Sequence, residues 1–354
     1  LDHQIDAAGS LYVFGMAKDT ICGSDVFFLS ELDVNGNELH QTTLISDSTC
    51  NRETPAAFSL GSANHILACG SQQNNQTGGL LFGLDTNNLS LSWTQHDSLG
   101  YYGDCIHGFS SENYVIETTN PPKLERWSES GTFSWSCNWS GQVANSNKTF
   151  KDKNDGVYML VYTFDTVPNT FQSGFGLLKR DTINSTGWSM VHNPVPGQIN
   201  MPIDVMQDNS RNTYVLTRAF TVDSIILNKI SPSGQLLWTS YFGPYNYLYK
   251  LKYDQANNNI LALIQTNSAI KLIRFDTNGA LLDTTTAITT THYTNVVFDV
   301  DTLGNSYVAH ENMLSASNYV TSIDKINLGG GILWNYQFPT TIPLLPCHLS
   351  VQPD

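Results

Sequence analysis

The chain has 354 residues and carries 17 Lys+Arg against 31 Asp+Glu, a formal charge of −14; it is 40% apolar and only 14% charged. That acid excess argues against a nucleic-acid partner, which recruits Lys and Arg to displace phosphate counterions, and against an anionic membrane surface. No apolar run reaches the ~18 residues of a membrane-spanning helix, and 16 Tyr, 16 Phe and 7 Trp point to a large folded core rather than disorder.

Taken in chain order, Leu1–Asp6 reads as a strand that enters an Asp-led turn, Asp6-Ala-Ala-Gly9-Ser-Leu-Tyr12, and then an apolar strand. Asp25–Leu32 alternates with the period of two expected of a strand, and Asp33-Val-Asn-Gly36 turns into a strand carrying His40. Similar strands carry Trp93, Trp135 and Trp188, and Asp152–Tyr158 is a looser copy of the first turn. Asp208-Asn-Ser-Arg-Asn212-Thr-Tyr214 repeats it well, and Asp223–Ile230 alternates like Asp25–Leu32. The run Ile230-Ser-Pro-Ser-Gly234-Gln-Leu-Leu-Trp238 shows a second signature, a glycine turn leading to Trp. Asp254–Ile260 is another loose first turn, and Asp276-Thr-Asn-Gly279 leads to Asp283 in the Trp place. Asp301–Tyr307 and Ile326–Trp334 are the last copies, and His348–Asp354 looks again like a first strand, comparable with Asp204–Asp208.

From His40 through Trp93, Trp135, Trp188, Trp238 and Asp283 to Trp334 the intervals are 53, 42, 53, 50, 45 and 51 residues. A four-stranded repeat of this length is the sequence form of a propeller blade. The expected fold is all-β, a seven-bladed β-propeller of four-stranded antiparallel blades in a single domain. The blades fall at about 1–44, 45–97, 98–141, 142–193, 194–243, 244–288 and 289–339, and 340–354 reads as a ring-closing strand or the start of a further segment. The recurring Asp is expected to cap its own turn through backbone N–H groups, and the recurring Trp to pack between blades. The chain reads as a piece of a longer protein.

Six cysteines, Cys22, Cys50, Cys69, Cys105, Cys137 and Cys347, form no CxxC pair and no zinc-spaced cluster. Their even number and wide separation fit disulfides in an oxidising, secreted setting; the alternative is buried thiols. Asn75, Asn88, Asn138, Asn147 and Asn184 head N-x-S/T sequons, which an Asn/Ser/Thr-rich chain also produces by chance.

The pattern D-x-x-G-N-x-Y-V followed by L-D-x-N-G-x-L-L-W, best seen at Asp301–Tyr307 with Lys325–Trp334 and at Asp208–Tyr214 with Lys229–Trp238, resembles the propeller repeats of secreted bacterial proteins, the SBBP-type repeats. The resemblance is strong in blades one, five, six and seven and weak in two to four. It implies a secreted or surface protein of the Bacteroidota and no particular activity. The second signature is also similar to the pyrroloquinoline-quinone propeller motif, but the vicinal disulfide of those enzymes has no counterpart here, and no cofactor is expected.

In such a blade the A–B and C–D turns are short, while the B–C loops (16–24, 70–79, 117–123, 164–173) and D–A loops (45–54, 96–104, 139–149) are long. Function concentrates on long loops held by a rigid scaffold, so the binding face is expected at the B–C/D–A end. Cys22 with Cys50 and Cys69 with Cys105 are reasonable pairs there; a remaining 137–347 pair would span distant blades. Tyr241, Tyr245 and Tyr247, in the run Tyr241–Tyr249, could stack on a sugar, or simply pack between blades five and six. Tyr101, Tyr102 and Trp139 form a second candidate group. Asp299 and Asp301 make a D-x-D like the start of a calcium loop, yet no bidentate Glu follows; Asp33-Val-Asn35-Gly-Asn37-Glu38 is incomplete in the same way, and turn capping is the favoured reading of both. The histidines, among them His65, His107 and His310, lack metal-binding spacing. Ser128–Trp135 resembles a sialidase Asp-box without its Asp, and no GxSxG, phosphate loop or dinucleotide fingerprint occurs. No catalytic residue is assigned. The expected function is a non-catalytic extracellular module for adhesion, binding a glycan or a protein at the cell surface, with no nucleic acid and no membrane insertion. The rivals are a carbohydrate-active hydrolase or lyase with carboxylates at the channel mouth, and a structural domain of a larger surface assembly.

Overall fold

The computed structural model describes residues 2–6, 8–18, 25–33, 35–44, 52–61, 65–73, 78–97, 100–107, 112–117, 121–139, 144–152, 156–164, 173–181, 187–220, 224–244, 247–266, 269–289, 296–315 and 318–337. Seven antiparallel sheets of four strands follow one another along the chain. Blade one is β1–β4 (Asp2–Ile5, Leu11–Lys18, Asp25–Leu32, Glu38–Leu44) and blade two β5–β8 (Arg52–Leu60, His65–Gln73, Gly78–Asp85, Leu91–Asp97). Blade three is β9–β12 (Tyr102–His107, Glu112–Glu117, Lys123–Ser128, Phe133–Asn138) and blade four β13–β16 (Ala144–Lys151, Gly156–Phe164, Ser173–Asp181, Gly187–His192). Blade five is β17–β20 (Asn200–Gln207, Thr213–Ala219, Ser224–Ile230, Leu236–Pro244) and blade six β21–β24 (Tyr247–Asp254, Asn259–Gln265, Ala269–Asp276, Leu281–Thr289). Blade seven is β25–β28 (Val296–Val300, Ser306–Ser315, Asn318–Ile326, Ile332–Gln337). The fold is a seven-bladed β-propeller. The chain packs as two compact units, 1–168 with 176–191, and 169–175 with 192–354.

The core lies between consecutive blades rather than inside any one of them. In the first unit Phe14, Phe27 and Leu29 of blade one meet Phe58, Ile66 and Phe82 of blade two. In the second, Tyr214, Leu216 and Leu227 of blade five meet Ile260, Ile264 and Phe275 of blade six. A single sheet cannot bury its faces by itself and needs its neighbours on either side, and each fully buried Leu or Phe contributes about 1.5–3 kcal/mol.

The Asp-led turns are self-capped as the sequence predicts. Asp208 Oδ1 accepts the Asn212 N–H at 2.9 Å and its Oδ2 accepts from Asn212 Nδ2 and the Tyr214 hydroxyl. Asp301 repeats this with Leu303, Asn305 and Tyr307, and Asp6 and Asp152 cap in the same way. Across the blade a lysine then covers the tyrosine ring, Lys179 over Tyr158, Lys229 over Tyr214 and Lys325 over Tyr307 at 4.8–5.2 Å. The repeat Trp meets the same ring edge-on, as in Tyr214–Trp238 at 5.9 Å.

Two of the turn glycines have a second purpose. Gly131 and Gly279 sit at φ +74° and +84°, and a Cβ on either would strike the Trp of the preceding blade, 2.6 Å from the Trp93 ring and 3.0 Å from Trp238. The preceding blade also grips the turn's carbonyls: Trp93 Nε1 donates to Glu129 O, Lys229 to Thr277 O at 2.7 Å, and Arg274 to Leu328 O at 2.6 Å. Where the Trp is replaced, the neighbouring strand supplies a hydrogen-bond partner, His40 bonding Glu31 at 2.9 Å and Asp283 bonding Arg274 at 2.7 Å.

Candidate functional site

The first strands of successive blades are stitched together, and several of the stitches are made by carboxylates. Gln4 reaches from β1 to Phe58 O and the Leu60 N–H on β5. Asp104 on β9 accepts the backbone N–H and hydroxyl of Thr149 on β13, at 2.5 and 2.7 Å. Burial raises the Asp104 pKa above the ordinary carboxylate value, and the bonds from Thr149 offset this only in part. Asp204 on β17 accepts the Leu251 N–H of β21 at 2.8 Å, and Lys252 of β21 pairs with Asp299 of β25 at 2.7 Å. The favoured capping holds for Asp301, which is turned into its own loop, where the Asn305 bonds outweigh burial and lower its pKa, whereas Asp299 faces the Lys252 ammonium. Asp33 caps Asn35 and Asn37 in the same manner. Among the described residues no three His, Cys, Asp or Glu side chains are placed to share a metal ion.

Two expected aromatic contacts prove to be core. Tyr102 is 2% exposed, lies against Gly79 and directs its hydroxyl to Glu125 at 3.4 Å. Trp139 is 2% exposed and packs against Gly176 of the next blade. The in-strand glycines Gly79 and Gly176 were the sequence signal for this, since a glycine inside a strand marks a close approach by another group. Tyr101 is exposed. Cys69 and Cys105 fall in mid-strand, in β6 and β9. In this structure both are thiols, and Cys105 Sγ lies 3.4 Å from Ala57 O. Cys22, Cys50, Cys347 and Tyr245 lie outside the described residues, as does the Tyr247 side chain. His310 is buried against Asp324 at 2.8 Å, and that carboxylate also accepts from Asn335.

Tyr241 combines exposure, 56%, with a fixed position: its hydroxyl donates to Pro194 O at 2.8 Å. Pro194 opens the loop 193–199 that leads into blade five. The loop is tied from within by the fully buried Asn200, whose Nδ2 lies 2.7–3.1 Å from Asn193 Oδ1, Val195 O, Gln198 O and Ser173 O. Ile199 leaves the loop opposite Phe220, and Met201 pairs with Arg218 one step on. Ile199, Met201 and Phe220 are all exposed, and the Arg218 guanidinium lies 4.6 Å from the centre of the Phe220 ring. These four were not singled out from sequence; nothing in a short stretch such as Ile199-Asn-Met201 separates an exposed apolar pair from a buried one.

No family model matches the sequence, and no curated protein does. Solved structures are similar in fold. The Dos1 propeller superposes with a TM-score of 0.61 at 8% identity, over 96% of this chain and 87% of that one. A prolyl endopeptidase gives 0.60 at 11%, over 98% of this chain and 50% of that one. The dihydro-heme d1 dehydrogenase NirN gives 0.55 at 9%, over 95% and 65%. These likenesses define the class, a β-propeller repeat protein whose fold serves enzymes and other proteins alike.

Proposed function

We propose that the chain is a non-catalytic binding module, secreted and extracellular like the SBBP-type repeat proteins its sequence resembles, that takes a glycan or protein partner on the loop end of blade five. The observation that carries this reading is the exposed group of Ile199, Met201, Phe220 and Tyr241 around a loop fixed by Asn200. Apolar side chains held open on a rigid frame, with a guanidinium beside an aromatic ring, are the ingredients of a contact patch. The buried acids lend further support, since Asp104, Asp204 and Asp324 are each engaged in holding blades or strands together.

The test is binding of the purified chain to a glycan array and to candidate surface proteins, repeated with Phe220→Ser and Tyr241→Ala. Selective binding that both substitutions reduce at least tenfold, with Tm unchanged, supports the patch. Binding indifferent to both moves the site elsewhere, and turnover of a bound glycan would replace the module by an enzyme.

A further inference from the structure

We propose that Cys69 and Cys105 form a disulfide when the chain folds under oxidising conditions, locking blade two to blade three, and that the bond closes before these blades meet. Cys69 stands at the middle of β6, opposite Ala57 on β5 and Leu81 on β7, so its side chain shares a face with both. That face is turned to blade three, since Ala57, Leu67, Cys69 and Leu81 share one buried cluster with Tyr102, Cys105 and Val115. Cys105 points back from β9: its sulfur lies 3.4 Å from Ala57 O and 3.8 Å from Leu67 O, the carbonyls of Cys69's cross-strand partner and of the residue two before it. The two thiols thus approach one site from opposite blades. The third described cysteine is engaged elsewhere, because Cys137 Sγ accepts from Arg180 Nε and Nη2 at 3.1 and 2.8 Å.

Burial fixes the order of events. Cys69 is 0% and Cys105 5% exposed, and exchange requires a thiolate that a disulfide reagent can reach. In the closed interface neither is reachable, so pairing belongs to the open chain. With glutathione disulfide as oxidant, each thiol gives up one proton and one electron. One protein S–S bond forms, one glutathione S–S bond breaks, and two glutathione thiols result. The bond would close a loop of 36 residues, and in the chain-entropy account it raises Tm by about 5 °C for a protein of this size. The inference is independent of the binding patch on blade five.

The chain is made once in a reducing and once in an oxidising compartment, alkylated under denaturing conditions and digested. The expected result is a Cys69–Cys105 linked peptide only from the oxidising source, a Tm about 5 °C higher there, and loss of that gap in Cys69→Ala and in Cys105→Ala. The folded reduced protein, incubated with glutathione disulfide, should yield no linked peptide. Natively folded oxidised material in which both cysteines are alkylated, or are linked to other cysteines, overturns the pairing, as does a chain that folds only when reduced. Ready oxidation of the folded protein overturns the order.

Discussion

If the turn glycine serves the neighbouring blade's Trp as well as its own backbone, substituting it must cost more than the backbone alone explains. Gly279 and Gly197 lie in the same unit at φ +84° and +77°, so alanine is equally disfavoured at both. A non-glycine residue in this region costs about 1–2 kcal/mol, and the stiffer unfolded chain returns about 0.4–1, leaving roughly 1 kcal/mol. At Gly197 nothing lies within 4 Å of the added Cβ, so Gly197→Ala should lose that amount alone. At Gly279 the Cβ falls 2.6 Å from Ser240 Oγ and 3.0 Å from the Trp238 ring. Overpacking of this kind adds about 1–3 kcal/mol, so Gly279→Ala should lose roughly 2–4 kcal/mol. Urea unfolding followed by Trp fluorescence measures both through the midpoint shift at constant slope. Losses that agree within about 0.5 kcal/mol would refute the cross-blade role and leave the glycine as a turn residue only.

Three further outcomes follow from individual contacts. Because burial holds the Asp104 pKa above 3.8, the native state binds its proton more tightly than the unfolded chain, so this residue makes stability fall as pH rises from 3.8 through the folded value. Asp104→Asn should therefore improve relative to wild type between pH 4 and pH 7 in thermal melts; a pH-independent difference would contradict it. Asp301 has the opposite sign: its lowered pKa stabilises the fold above 3.8, and that contribution disappears as pH falls through the folded value. Asp301→Ala should cost about 1 kcal/mol at pH 7, as for other side-chain caps, and progressively less as the pH falls below 3.8; a cost independent of pH would contradict it. Arg274→Met should cost about 2 kcal/mol, since the buried guanidinium serves both Asp283 and Leu328 O, whereas Asp283→Leu, at a half-exposed partner, should cost under about 1 kcal/mol; equal losses in chemical denaturation would assign the stability to the ion pair alone.

The repeat was legible because it records contacts that recur. Asp208, Tyr214, Lys229 and Trp238 touch one another across neighbouring strands, so their spacing follows strand and turn lengths and reappears at Asp301, Tyr307, Lys325 and Trp334. The contacts between first strands were not legible. Gln4, Asp104, Asp204 and Asp299 do the same job with different chemistry, and each finds its partner about 45–55 residues away. Tyr102 and Trp139 were misread for a related reason: an aromatic beside a predicted loop looks available until the glycine that receives it is known to face it.

The patch on blade five escaped the sequence because it lies where the repeat is broken. Most side chains that recur from blade to blade are already engaged, with their own turn, the next strand or the next blade, and such residues have little left to offer a partner. The loop 193–199 follows no repeat signature. It is held by a fully buried asparagine, Asn200, and it presents Ile199 and Met201 to solvent beside Phe220. Burying a polar side chain completely is worthwhile only when its bonds fix something, and what these bonds fix is the path of an exposed loop. A local departure from rules that the rest of the molecule obeys is where function is to be sought, and on that argument Asn200→Ala should leave the seven sheets intact by circular dichroism while weakening whatever binding Phe220→Ser weakens. Loss of one without the other would separate the loop from the patch.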